Sequence, residues 1–377
     1  MHIHREAEAH IQRFLQRGKV CIVYGPRRAG KTTLLSTLFP ERRDTLTLSC
    51  EEERVRRQLV PDRLVLSELV GQRTTIVLDE AQHLAEAGLV LKVLIDAFPH
   101  LTIIASGSSS FDLANKVQEP LTGRYLSYTL FPLTLRELAV HVPSTDHEYI
   151  LEHALLYGTY PELFTLKGKE EKIRALTTLT DAYLYRDILS FQLVKSSRKL
   201  RELLELLALQ IGNEVSYSDL GAQLGMDTKT VERYIDLLEK SFVLFRLHGF
   251  SRNQRTAIRR KVKIYFVDLG VRNTIVNTFT DLHLRSDKGA LLENLFISDY
   301  WKQNINAAQR ENLFFWRTYD QKELDLLAEK DGAFQVFEVK WQAGKPARHF
   351  PSFLHHAPKS TLTMVNVGNI MRIGSRH

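Results

Sequence analysis

Two groups of residues carry charges and hydroxyls at spacings that chemistry requires. The first is Gly25-Pro26-Arg27-Arg28-Ala29-Gly30-Lys31-Thr32-Thr33, which follows the apolar run 20–24 and precedes Leu34, Leu35 and Leu38. Glycines at both ends of such a loop let backbone N–H groups curl around phosphate oxygens. The start of the following helix adds partial positive charge. Lys31 can reach the outer phosphates of a nucleotide and Thr32 can ligate its Mg2+. A partner lies in "TTIVLDEAQHL", residues 74–84, whose apolar run ends in Asp79-Glu80. Acidic residues at the C-terminal end of a buried parallel strand sit at the ligand edge of an α/β sheet. Asp79 can hold Mg2+ through water, and Glu80 can orient or deprotonate the attacking water. A helix-capping acidic pair is the plainer alternative; the phosphate loop upstream favours ATP binding and hydrolysis.

The second group is Asp325, Glu338 and Lys340, the last two in the apolar stretch "QVFEVKW", residues 335–341. Burying either charge unpaired is costly. Asp331-Gly332 is a two-residue hairpin signal. That turn sets Lys330 opposite Ala333 and Asp325 opposite Glu338, with Lys340 on the Glu338 face. Like charges directly opposite destabilise a sheet. A hard divalent cation, Mg2+ or Mn2+, resolves the conflict. Asp325, Glu338 and the Val339 carbonyl could hold it, and Glu293 in the amphipathic run 288–305 could complete the shell. A metal-bound water then attacks a phosphodiester, with Lys340 orienting it or stabilising the phosphate charge. The alternative is a solvated sheet face with a Glu323–Lys340 salt bridge, which contributes little.

The intervening elements must position these groups. "LTIIASGSSSFDL", residues 101–113, reads as a further buried strand. Ser106, with Ser108 and Ser109, can sense the γ-phosphate from it or cap the next helix. Arg124, after Gly123, is either a surface arginine or an arginine finger for a neighbouring subunit, which implies a homo-oligomer. Residues 147–195 read as helices at apolar 3.6-residue spacing, with "YGTYPE" a turn between them. From Leu200 the pattern is helix, turn, helix and two strands, a winged helix. Ser218 or Asp219 caps one helix and Asp227 or Thr228 the next. Val231, Tyr234, Ile235 and Leu238 face its core, while Lys229 and Arg233 face outward as a recognition helix does. Residues 251–263 hold six basic residues and no acidic one. Arg252, Arg255, Arg259 and Arg260 can track nucleic-acid phosphates. The same module can serve only packing or dimerisation.

The stretches "GPRRAGKTTLL", "TIVLDEAQHL", "ASGSSSFDL", "TGRYLSYTLFPLTLREL" and "KIYFVDLGVRN" together resemble the AAA+ ATPases. More closely, they resemble archaeal-type ATPases with a restriction-endonuclease-like C-terminal part. The spacing of Glu293, Asp325, Glu338 and Lys340 is similar to that of the PD-(D/E)XK nuclease superfamily. The resemblance implies an α/β multi-domain chain. Its expected parts are a P-loop AAA+ parallel-sheet core (1–145), a helical lid (146–195), a winged helix with a basic wing (196–267) and an α/β nuclease-like domain (268–377).

The bulk numbers fit that layout. The chain has 377 residues, 44% of them hydrophobic, enough for two or three cored domains. No apolar run is long enough to span a bilayer and no signal-peptide pattern opens the chain, so a cytoplasmic protein without membrane partner is expected. Cys21 and Cys50 have no metal or redox spacing. A net charge of +7 suits a nucleic-acid partner, DNA foremost, with RNA not excluded by composition. The expected function is an ATP-hydrolysing, DNA-acting protein with a Mg2+-dependent endonuclease-like domain. The alternative is an ATP-driven switch that binds nucleic acid or protein without cleaving.

Overall fold

In the computed structural model the described residues are 3–108, 120–141, 143–182, 196–251, 262–307, 310–318, 322–344, 349–355 and 357–374. They divide into two units, Met1–Pro132 and Leu133–His377.

The first unit is a parallel sheet with flanking helices. Its strands are β1 (Val20–Tyr24), β2 (Thr45–Ser49), β3 (Thr75–Asp79), β4 (Thr102–Gly107) and β5 (Tyr125–Thr129). Their order is β2-β3-β4-β1-β5, all neighbours parallel. β1 is buried along its whole length, as expected of a central strand covered on both faces. The helices are α1 (Glu6–Phe14), α2 (Lys31–Leu38), α3 (Glu53–Gln58), α4 (Arg63–Val70) and α5 (Ala87–Ala97). Ile11 of α1 and Leu34 and Leu35 of α2 pack on Cys21, Val23, Val77 and Ile104. Because β4 lies between β1 and β3, the loops after all three strands open on one edge, where α/β sheets bind ligands.

The second unit carries a seven-stranded sheet of order β12-β11-β10-β9-β7-β8-β6. Its strands are β6 (Glu214–Val215), β7 (Leu244–Gly249), β8 (Val262–Phe266), β9 (Asn312–Arg317), β10 (Glu323–Lys330), β11 (Ala333–Val339) and β12 (Thr361–Val365). Its helices are α6 (Leu135–His141), α7 (His147–Tyr157), α8 (Lys169–Asp181), α9 (Ser197–Leu209), α10 (Tyr217–Leu224), α11 (Thr228–Lys240), α12 (Leu269–Ile275), α13 (Lys288–Asn306), α14 (Phe350–Leu354) and α15 (Ile370–Gly374). The sequence sets boundaries at 195/196 and 267/268; both fall inside the second unit, and the seven-stranded sheet, which begins at β6, crosses the second of them. The reason is β7, which pairs antiparallel with β8 on one side and parallel with β9 on the other. The compact units divide at 132/133; within the second, Leu133 donates its N–H to Thr159 O and Leu135 N donates to Asp299.

Local signals explain the elements. Asp227 caps α11 through Thr230 N, and Val231, Tyr234, Ile235 and Leu238 are buried. Ser216, rather than Ser218 or Asp219, caps α10. The Asp331-Gly332 turn has both residues at positive φ, 52° and 77°, the geometry a two-residue hairpin requires. The "YGTYPE" turn is a docking point: the Asp268 carboxylate accepts from Thr159 N at 2.7 Å and also from Gly270 N and Val271 N. Asn273 Nδ2 donates to Leu155 O and Leu156 O.

His153 of α7 is buried, stacked on Phe164 with ring centroids 4.2 Å apart, and its Nε2 lies 3.3 Å from Leu163 O. Burial and then Lys172 push it down to about 4. A histidine depressed in the fold keeps its stabilising effect above the unfolded value of roughly 6.5. That effect is lost as pH falls towards 4. The unfolding free energy from urea titration should therefore fall between pH 6.5 and 4 by up to about 3 kcal/mol from this group. His153→Phe should flatten that slope.

Candidate functional site

The loop after β1 is held from several sides. Gly25 has φ 151°, and a Cβ there would stand 2.0 Å from Leu130 O, so only glycine fits. Leu130 N in turn donates to Tyr24 O. Lys31 is buried, and its Nζ donates to Gly25 O at 3.0 Å and Pro26 O at 3.1 Å. Thr32 Oγ1 donates to Asp79 Oδ2 at 2.7 Å, while Ser106 Oγ donates to Asp79 Oδ1. The expected Mg2+-binding pair therefore converges, with Ser106 as its third member. Asp79 and Thr32 fit the ion chemically: one carboxylate and one hydroxyl, leaving room for phosphate and water.

Glu80 adopts a left-handed backbone, φ 53° and ψ 45°, with its N–H donated to Ser106 Oγ at 3.0 Å. That conformation is uncommon outside glycine and clusters at functional sites. Its carboxylate accepts from Gln82 Nε2 and lies 3.9 Å from Lys31 Nζ. Gln82 Nε2 also reaches Ser108 Oγ at 3.0 Å. Thus Glu80, Ser106 and Ser108 share one network at the sheet edge. Ser109 lies outside the described residues.

Arg5 is a support the sequence does not announce. It is buried and donates from one guanidinium nitrogen to Ala29 O at 2.8 Å and from the other to Phe131 O at 2.7 Å, tying the phosphate loop down. Arg5→Met should cost about 2–4 kcal/mol, since two buried charge-assisted bonds lose their donor. The check is the melting transition that ATP shifts, which should fall and respond to ATP only at higher concentration. Arg124 sits at the opposite sheet edge. Its carbonyl pairs with Val20 N at the start of β1, and its guanidinium pairs with Asp96. One strand length away, it cannot serve this chain's own phosphates.

The second cluster forms where the hairpin β10–β11 meets β8 and α13. The observed register sets Leu326 opposite Phe337 and Lys330 opposite Ala333, in step with the expected facing of Asp325 and Glu338. Asp325 Oδ2 accepts from Val339 N at 2.7 Å. A register shift of β10 against β9 between Leu324 and Leu327 puts Asp325 at a bulge, a device that re-aims side chains. Lys340 Nζ lies 2.8 Å from Glu338 Oε1, whereas Glu338 Oε2 is buried without a partner among the described residues. Lys340 is half-exposed, and its contact with Glu338 outweighs burial to hold it above the usual lysine range.

Two residues here come from the segment assigned to the winged helix. Lys263 on β8 is 1% exposed, pairs with Glu293 Oε1 at 3.0 Å and pairs also with Glu323. Tyr265 Oη donates to Glu293 Oε1 at 2.7 Å. Burial would lower Lys263, but Glu293, Asp325 and Glu323 outweigh it and keep it charged. This corrects two expectations. Glu323 pairs with Lys263 and Arg317, not Lys340, because Lys340 turns to Glu338. Glu293 is engaged by Lys263 and Tyr265, and among the described residues no three His, Cys, Asp or Glu side chains converge to hold a metal. Burial, then Glu293 and Glu338, push Asp325 well above the usual carboxylate range. Glu293, Glu323, Asp325 and Glu338 face Lys263 and Lys340, while Arg317 and Glu214 offset each other at 3.3 Å. Ionised throughout, the described residues of the cluster are two positive charges short. Asp325 and Glu338 fit a divalent ion on that ground, and the orphaned Glu338 oxygen is an open ligand position.

Of the expected nucleic-acid contacts, Lys229 is exposed near the start of α11 and Arg233 is partly buried, its guanidinium 5.8 Å from the Tyr234 ring. Arg252, Arg255, Arg259 and Arg260 lie outside the described residues. Among the described residues no helix is long and apolar enough to cross a membrane.

The parallel sheet and its Lys31–Thr32–Asp79–Glu80 edge define a P-loop ATPase domain of the AAA class, and the comparisons agree. The profile described as AAA domain matches residues 17–139. Two profiles described as domains of unknown function, DUF8612 and DUF4143, match residues 148–282 and 288–376. The uncharacterised protein Rv2008c of Mycobacterium tuberculosis is 30% identical over 343 residues, 89% of this chain and 73% of that one. The uncharacterised protein MJ1544 of Methanocaldococcus jannaschii is 22% identical over 318 residues, 79% and 69% of the two chains. The Walker-type ATPase PABY2304 of Pyrococcus abyssi shares the fold: 17% identity, 73% of this chain, 96% of that chain, TM-score 0.52. The chain belongs to the family of AAA-domain proteins that includes Rv2008c. ATP binding and hydrolysis are the chemistry of its N-terminal domain.

Proposed function

We propose that the chain is an ATP-hydrolysing, DNA-acting protein whose C-terminal carboxylate–lysine cluster is a Mg2+-dependent phosphodiesterase site of the PD-(D/E)XK kind. The observation that carries this is the charge deficit among the described residues: Asp325 stands at a bulge, in step with the register that sets it opposite Glu338, and one Glu338 carboxylate oxygen has no partner among them. When bound, Mg2+ supplies a water of lowered pKa and polarises the phosphoryl oxygen. Asp325 and Glu338 are its ligands, with Mn2+ an acceptable substitute. Lys340, half-exposed beside Glu338, orients the water or stabilises charge on the phosphate. Water adds to phosphorus, the P–O bond to the leaving nucleotide breaks, and a proton passes to that oxygen.

In the ATPase domain Lys31 and Thr32 hold the phosphates and Mg2+, Asp79 anchors the ion through water, and Glu80 activates the attacking water. Arg124, remote from its own loop, acts in a homo-oligomer as a finger on a neighbour's nucleotide. The elements α9 to β8 follow the order of a winged helix, with Lys229, Arg233 and the basic stretch 252–261 contacting DNA phosphates. ATP binding assembles subunits on DNA, and hydrolysis resets them.

A second reading is favoured by the tie between Glu293 and Lys263, which takes one carboxylate away from metal binding. In it the cluster binds nucleic acid or protein without cutting and the chain is an ATP-driven switch. Incubating the full chain with circular duplex DNA in Mg2+ separates the two. Nicking that EDTA stops supports the nuclease; retention of intact DNA supports the switch.

A further inference from the structure

Lys263 is unusual chemistry for β8, a strand buried along its whole length. Lysine is almost never fully buried unless paired, and this one is matched to two carboxylates of the candidate metal cluster rather than to a partner of its own. It reaches Glu293 from β8, and Tyr265, two residues on, holds the same Glu293 oxygen. Gly212 lies over that carboxylate, 3.5 Å from where its own Cβ would be. Glu293 is thus enclosed on three sides by residues of the 212–265 segment, while Asp325 and Glu338 meet across the hairpin.

We propose that Lys263 is a built-in cation that takes the place of a second metal ion, so that the cluster binds one divalent ion through Asp325 and Glu338 alone. The Lys263 ammonium neutralises Glu293 and Glu323 and repels a further divalent ion. Of the four carboxylates, only the Asp325–Glu338 pair is left for metal. Lys263 is a positioning residue: it touches neither phosphate nor water. This inference rests on the metal-site reading above.

The test is Mn2+ titration of the nucleotide-free full chain, followed by electron paramagnetic resonance. The Asp325→Asn variant is subtracted so that only ions of this cluster count. Wild type should bind one ion. Lys263→Met frees Glu293 and Glu323 and should bind Mn2+ at least about tenfold tighter, since a positive charge a few ångströms away is removed at protein-like dielectric. Lys263→Arg should behave as wild type. Should Lys263→Met fail to fold, Lys263→Gln, which can still donate to Glu293 and Glu323 but carries no charge, should show the same tightening, and unchanged affinity there would overturn the proposal. Two ions in wild type, or unchanged or weaker affinity in a folded Lys263→Met, would overturn the proposal and leave the metal site standing. No Asp325-dependent Mn2+ in wild type would overturn both.

Discussion

Glu80→Gln should stop ATP hydrolysis while leaving ATP bound. The backbone of Glu80 is turned into the left-handed region, its N–H is held by Ser106 and its carboxylate by Gln82. The glutamine has the same shape and can keep that turn, but it cannot take a proton from water. Losing a positioned general base slows the chemical step by about 10²–10⁴-fold. Affinity for a fluorescent ATP analogue should change little, because Lys31, Thr32 and the loop N–H groups are untouched. Lys31→Ala makes the contrast: its buried ammonium is pointed at the loop carbonyls Gly25 O and Pro26 O, and its loss should abolish binding itself. A Glu80→Gln variant that turns over at the wild-type rate would remove Glu80 from the mechanism.

Asp325→Asn should abolish DNA cleavage and leave DNA binding within about threefold, because phosphate contacts elsewhere carry affinity. The amide oxygen can still accept from Val339 N, so the hairpin is preserved. Burial, then Glu293 and Glu338, disfavour the charged form of the carboxylate. Removing its charge in EDTA should therefore raise the melting temperature rather than lower it. This separates lost chemistry from lost fold. Lys340→Ala should reduce cleavage by about 10²–10³-fold, the effect of removing one stabilising donor.

The two sites were legible to different depths. The phosphate loop and Asp79-Glu80 are contiguous stretches whose strand–loop–helix context is local, so spacing alone places them. The facing of Asp325 and Glu338 follows from one two-residue turn, because Asp331-Gly332 fixes the register. What the sequence hides depends on distant pairing. Lys263 reads as the last charge of a basic stretch and Tyr265 as a core aromatic. The packing of α13 on β8 brings them to Glu293, and the parallel pairing of β7 with β9 joins that strand to the sheet that carries Glu323 and Asp325. The same pairing merges segments whose helical and strand patterns read as separate domains. Arg5 sits before an ordinary amphipathic helix, and nothing local tells of its bonds to Ala29 and Phe131. The bulge at Asp325 likewise depends on the register of β10 against β9.

The most direct measurement is cleavage of end-labelled linear, circular and branched DNA by the full chain in Mg2+ or Mn2+, with and without ATP, beside Asp325→Asn. The account predicts metal-dependent products from wild type and none from the variant, with ATP changing the rate or the substrate cut. Intact DNA on every substrate, with ATP hydrolysed and DNA bound, would contradict it and leave the C-terminal cluster as a binding site in an ATP-driven switch.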